Sequence, residues 1–242
     1  GRLRVIRIAV FASGGGTNLQ SLLDHFGAHA REVADIALVV SDRADAGALE
    51  RAARAGVPTR VVAMAGRDPE EVAGEILDAL RSAEIDLVVL AGFLRLVPEA
   101  VVRAHRGRIL NIHPSLLPAF GGKGMYGIRV HRAVLEAGCK VSGATVHVVD
   151  ERSDTGPILM QWPVPVLAGD APESLAARVL AVEHRILPAT VEAVARALAR
   201  DGEVVPYRGV GQASFGLVAE SAPSEEEVRQ VLGLERGAQA RK

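Results

Sequence analysis

The chain has 242 residues, 49% of them hydrophobic and 24% charged, so it can bury a core that offsets chain entropy, in one α/β domain with or without an appendage. Its formal net charge of -1 removes the clustered-cation argument for a nucleic-acid or anionic-membrane binder, and 3% aromatic residues leave few platforms for stacking bases. Cys139 is the lone cysteine, which excludes an internal disulfide and a zinc site of several thiolates and fits a reducing, cytoplasmic setting.

Short apolar runs alternate with amphipathic segments through the first half. Residues 5–11, 36–40, 60–62 and 86–90 read as strands, and residues 17–26, 46–55 and 69–83 as helices. This alternation predicts βαβ units and an α/β fold with a doubly wound, mostly parallel sheet. The segment before Ser13 is too short for a signal peptide, and no run approaches the ~18 apolar residues of a membrane span.

The pattern then changes. Residues 108–112 read as a strand, 114–127 as a loop rich in Gly and Pro, and 129–137 as a helix ended by Gly138. Residues 144–149 and 158–166 flank the polar turn 150–157 and predict an antiparallel hairpin on the C-terminal side of the sheet. A long helix follows over 172–200, with Leu175, Val179, Val182, Ile186 and Leu187 on one stripe. Residues 1–217 are expected to form the domain. Residues 218–242 are expected to be a charged extension, in which Ser224 and Glu227 make a capping box for a short helix.

Three groups carry chemistry. Strand, then Ser13-Gly14-Gly15-Gly16-Thr17-Asn18, then helix presents backbone N–H groups and a positive helix end to an anion. Glycines that merely make a tight turn remain an alternative. So does a dinucleotide site, with Asp42 as its ribose acid, although Leu19 stands where that motif wants its third glycine. No segment satisfies the P-loop pattern. Asn111 and His113 share one face at the carboxyl end of a strand, where open α/β sheets bind ligands. An amide beside an imidazole suits an oxyanion and a moving proton. Asp154, in the turn before Thr155-Gly156-Pro157, would raise the pKa of a neighbouring imidazole, but sequence alone does not bring it to His113. Ser115 lies in no nucleophile elbow, and Cys139 follows a helix C-terminus that disfavours a thiolate. His147, mid-strand on the face of Thr145, suits a structural or supporting role better than metal binding.

Ser13-Gly-Gly-Gly-Thr-Asn18, Ala91-Gly-Phe-Leu-Arg95, Asn111-Ile-His-Pro-Ser-Leu-Leu-Pro118 and Asp154-Thr-Gly-Pro157, in this order and spacing, resemble the glycinamide ribonucleotide formyltransferases. The resemblance covers about residues 5 to 205 and implies a Rossmann-like formyltransferase fold. It implies Asn111, His113 and Asp154 as the catalytic trio, with His113 protonated and Asp154 keeping it charged. Gly16, Thr17 and Asn18 would hold a 5'-phosphate and Glu183 the ribose. Leu94, Arg95, Leu96 and Val97 would line the folate pocket with the turn 150–154, Asn111 would also touch folate, and Arg67 is a weaker folate contact. The implied reaction moves a formyl group from 10-formyltetrahydrofolate, as co-substrate, to the amine of glycinamide ribonucleotide, with neither ATP nor metal. Both partners are small molecules; nucleic acid and membrane are not expected, and the chain would be a monomer or homodimer. Gly121 stands where relatives commonly carry proline, which implies a looser loop. Alternatives are another formyl acceptor, water included, a nicotinamide-dependent oxidoreductase, and a nucleotide-binding module without catalysis.

Overall fold

Alternate residues of the first strand, β1 (Ile6–Phe11), are buried on opposite faces, which makes it a central strand. Ile6, Ile8 and Val10 pack in one apolar cluster and Ala9 and Phe11 in another. The computed structural model describes residues 4–152 and 154–202. In it, β1 lies between β2 (Ala34–Ser41) and β4 (Leu87–Leu90). The seven-stranded sheet runs β3-β2-β1-β4-β5-β6-β7, with β3 (Thr59–Val61), β5 (Ile109–His113), β6 (Val141–Val148) and β7 (Ile158–Pro165). The first five strands are parallel. β6 is antiparallel to both β5 and β7, so the expected hairpin closes the sheet.

Helices cover both faces. α1 (Thr17–Ala28), α2 (Gly47–Arg54), α5 (Ile128–Glu136) and α6 (Pro172–Asp201) share the cluster of Ile8 and Val10. α3 (Pro69–Ser82) and α4 (Glu99–Ala104) share that of Ala9 and Phe11. The α3 start has a plain local cause: Asp68 accepts a hydrogen bond from the Glu70 N–H at 2.9 Å, and Pro69 follows at the first helical position. Removing that cap by Asp68→Ala costs about 1 kcal/mol.

Two local features differ from expectation. α4 is an additional helix of six residues, too short to show a 3.6-residue period. β6 begins at Val141 rather than 144 because Gly143 continues the strand. A Cβ there would strike the Trp162 carbonyl of β7, so the glycine permits close pairing rather than ending it. The 217/218 boundary and the Ser224–Glu227 capping box lie outside the described residues.

Candidate active site

Strand order reverses between β1 and β4, and a doubly wound sheet opens a crevice at the carboxyl ends of such a pair. Ser13 spans that point. Its N–H donates to the Gly92 carbonyl at 3.0 Å, and its Oγ accepts from the Leu94 N–H at 2.9 Å. Gly16 then enters α1 with φ +75, and a Cβ on it would lie 2.6 Å from the Ala48 Cα. Glycine is required there twice over. No side chain caps α1 and no acid sits in its first turn, which leaves its initial N–H groups and positive end open to an anion. Thr17 is exposed, whereas Asn18 is buried and donates through Nδ2 to Glu183 Oε2 at 2.7 Å. Burial pushes the Glu183 carboxyl up to about 7 against the opposing pull of the Asn18 bond. Asn18 Oδ1 is buried without a partner, so this polar pair is incomplete on one side.

The strand pairing of β5 with β6 sets Asn111 opposite His147 and His113 opposite Thr145. Asn111 Nδ2 lies 3.1 Å from His147 Nε2, and His147 Nδ1 lies 3.1 Å from the Val148 carbonyl. A carbonyl only accepts, so Nδ1 carries the proton and Nε2 accepts from the Asn111 amide. The same logic gives His113 its tautomer: Nε2–H donates to the Phe120 carbonyl at 2.9 Å, which leaves Nδ1 with a lone pair.

Asp154 is brought to this pair, which the sequence alone did not do. Its carboxylate lies 3.7 Å from His113 Nδ1 and 3.6 Å from His147 Nε2, and it accepts the Gly122 N–H at 2.9 Å. Burial raises the Asp154 pKa, but His147, the Gly122 N–H and His113 together outweigh it and hold the carboxyl below its ordinary value. His113 departs from expectation. Burial lowers its pKa more than Asp154 and the Phe120 carbonyl raise it, so the resting imidazole is neutral at pH 7.

Gly121 does not mark slack in the loop. A Cβ there would meet Leu117 Cδ2 at 2.5 Å and Asp154 Cβ at 3.3 Å, so the missing side chain lets residues 121–122 close on Asp154. His131 of α5 is a further buried imidazole, with Nδ1 unpartnered and His113 near enough to disfavour its charge after burial has done so.

The segment after β4 carries the other predicted residues. Leu94 and Leu96 are exposed, at 51% and 77%, while Val97 packs partly into the core. Arg95 Nε donates to Asp42 Oδ2 at 3.2 Å, and the Asp42 side chain is only 4% exposed. Asp42 is therefore engaged within the fold rather than presented to a ribose. Arg67 bonds the Ala63 carbonyl and Glu75, both at 2.9 Å, so the geometry gives it a structural partner and brings it to none of Asn111, His113 and Asp154. A cavity of about 380 Å³ between Val102, Arg106 and Val149–Arg152 contains none of Asn111, His113 or Leu94–Val97. Among the described residues, no group of three or more His, Cys, Asp or Glu side chains is arranged to hold a metal ion, and no helix is long and apolar enough to cross a membrane.

A glycine loop with open N–H groups at the switch point of a doubly wound sheet, and an amide, an imidazole and a carboxylate converging on the end of β5, mark an α/β protein of the enzyme class. The chain belongs to the formyl transferase family, whose profile matches residues 6–191. It is 48% identical over 191 residues to the chloroplastic phosphoribosylglycinamide formyltransferase of Arabidopsis thaliana, covering 78% of this chain and 65% of that protein. The Vigna unguiculata relative is 45% identical, with 60% of its length covered, so the chain spans less than two thirds of either plant protein. The Escherichia coli phosphoribosylglycinamide formyltransferase is 38% identical, with 77% of this chain and 85% of that protein covered. Among solved structures, the Brucella melitensis phosphoribosylglycinamide formyltransferase matches with a TM-score of 0.72 at 43% identity, over 79% of this chain and 96% of that one. The Symbiobacterium toebii glycinamide ribonucleotide transformylase 1 matches with a TM-score of 0.72 at 46% identity, over 80% and 89% of the two chains.

Proposed function

We propose that the protein transfers the formyl group of 10-formyltetrahydrofolate to the primary amine of glycinamide ribonucleotide. The observation that carries this reading is the convergence of Asn111, His113 and Asp154 at the same carboxyl edge of the parallel strands as the glycine loop, in a chain whose relatives are named phosphoribosylglycinamide formyltransferases. The neutral amine attacks the formyl carbon. One Asn111 N–H is held by His147 and the other is left to donate to the developing oxyanion. His113 Nδ1 takes the proton released by the nitrogen, and Asp154 supports the imidazolium so formed. The bond from carbon to N10 then breaks as His113 returns the proton to N10, so tetrahydrofolate and formylglycinamide ribonucleotide leave in balance. His113 thus acts as a base that starts neutral, rather than as an imidazolium kept charged by Asp154.

Gly16, Thr17 and Asn18 hold the nucleotide phosphate, and Glu183 receives the ribose through the carboxylate that Asn18 already orients. Leu94, Leu96 and Val97 offer apolar contacts and backbone groups to the pterin. Arg95 is fixed by Asp42. Arg67, anchored by Glu75, is retained as a rim contact for the folate tail. The domain spans 1–217, with 218–242 as an extension. The chain works in the cytoplasm as a monomer or homodimer, with small molecules rather than nucleic acid or membrane as its partners.

The test is deformylation of 10-formyltetrahydrofolate with glycinamide ribonucleotide, a formyl-accepting nucleotide sugar, initiator tRNA or buffer alone. Turnover that requires glycinamide ribonucleotide supports the reading. Equal turnover in buffer would make the protein a hydrolase. Binding of nicotinamide cofactors, followed by NADH and NADPH fluorescence, would favour the oxidoreductase alternative instead.

A further inference from the structure

Two successive carbonyls of the glycine loop are turned toward α2. The Ala48 N–H donates to the Gly14 carbonyl at 3.0 Å, and Arg51 Nε donates to the Gly15 carbonyl at 2.7 Å. In a planar trans peptide the C=O and the following N–H point in opposite directions. The N–H groups of Gly15 and Gly16 therefore both aim away from α2, and the left-handed Gly16 that follows completes a concave run of donors of the kind that binds anions.

The packing leaves α2 no slack in this arrangement. The Gly16 α-carbon sits so close to Ala48 that a Cβ would overlap it, and a Cβ on Gly47 would lie 3.3 Å from the Gly15 Cα. Arg51 is also braced from the other side, because its NH1 donates to Gln20 Oε1 of α1 at 3.2 Å. Both of its acceptors are neutral, and among the described residues it forms no ion pair. A full positive charge thus stands behind the loop without a carboxylate to cancel it. Its field reaches α6, where burial first and Arg51 second hold His184, the neighbour of Glu183, below its ordinary pKa.

We propose that Arg51 is a positioning residue for the substrate phosphate: by holding the Gly15 carbonyl it turns the Gly16 N–H toward the anion and adds positive potential behind it. This deepens the reading given under Proposed function and rests on the phosphate subsite described there.

The test compares affinities for glycinamide ribonucleotide and for its dephosphorylated riboside by calorimetry, in the full chain and in Arg51→Met and Arg51→Lys, with 10-formyltetrahydrofolate affinity as control. Arg51→Met is expected to lose about tenfold for the ribonucleotide and to bind the riboside and the folate as before. Arg51→Lys, which keeps the charge and one donor, should fall between. Equal loss for ribonucleotide and riboside, or no loss for either, would overturn the role. If Arg51→Met lacks a native circular dichroism spectrum, Arg51→Gln replaces it under the same criteria. A full chain that binds ribonucleotide and riboside alike would instead refute the phosphate subsite itself, a failure distinct from that of Arg51.

Discussion

Asp154 Oδ2 stands 3.7 Å from Nδ1 of His113, the one ring nitrogen that the Phe120 carbonyl does not occupy. The free ring nitrogen and the carboxylate therefore face each other, although burial wins the contest over the resting pKa.

The pH profile follows from that balance. His113 titrates below its ordinary 6.5, so the neutral base persists at neutral pH and kcat/KM should fall only as pH drops through that lowered value. Asp154 raises the His113 pKa, so Asp154→Asn removes a raising influence and should move the acid limb to still lower pH. It should also slow turnover by about a hundredfold, because the imidazolium formed in the transition state loses its support. A pH–rate series on both proteins checks this; a limb that moves to higher pH contradicts it.

In the proposed mechanism Asn111 acts on the charge that develops on the formyl oxygen. Asn111→Ala should lower kcat by about a hundredfold or more with little change in nucleotide affinity. Steady-state kinetics together with ribonucleotide binding separate the two. A variant with normal kcat and a raised KM would place the amide in ground-state binding instead.

Glu183 makes stability depend on pH. Its folded pKa of about 7 lies above the ordinary 4.5, so holding it ionised in the ligand-free protein costs on the order of 3 kcal/mol once the pH exceeds the folded value. The penalty is absent below the unfolded pKa and grows as pH rises between the two. Glu183→Gln should therefore melt higher than the parent at pH 8, with the difference shrinking toward pH 5, while binding the ribonucleotide less tightly. Melting curves at the two pH values decide it, and a constant offset would mean that Glu183 is not the titrating group.

Gly16→Ala faces both a left-handed backbone and the Ala48 Cα at 2.6 Å. The conformation alone costs about 1–2 kcal/mol, and the clash must displace α2 or the loop. Denaturant unfolding should show at least that loss, accompanied by weaker phosphate binding. Parent-like values for both would show that the loop can relax without consequence.

Much of this was legible because the relevant signals are periodic. The alternation of Ile8, Ala9, Val10 and Phe11 between two apolar clusters is what a doubly wound sheet demands of a central strand, and the glycine loop and Asn111–His113 stand at strand ends readable from the chain. What could not be read was register and environment. His147 supports Asn111 only because β6 pairs antiparallel with β5 at that residue, a tertiary fact with no sequence period. The neutrality of His113 depends on how deeply the fold buries it, so proximity to Asp154 suggested the opposite direction. α4 was too short to announce itself, and the hold of Arg51 on the Gly15 carbonyl depends on how α2 packs against the loop, which has no signature in the sequence.

The most direct test of the whole account is single-turnover formyl transfer with 10-formyltetrahydrofolate and glycinamide ribonucleotide, in the parent chain and in Asn111→Ala and Asp154→Asn, each with and without the ribonucleotide. The account predicts formylglycinamide ribonucleotide from the parent only when the acceptor is present, and slow formation by both variants. Tetrahydrofolate released at the same rate without acceptor, or both variants reacting as fast as the parent, would contradict it.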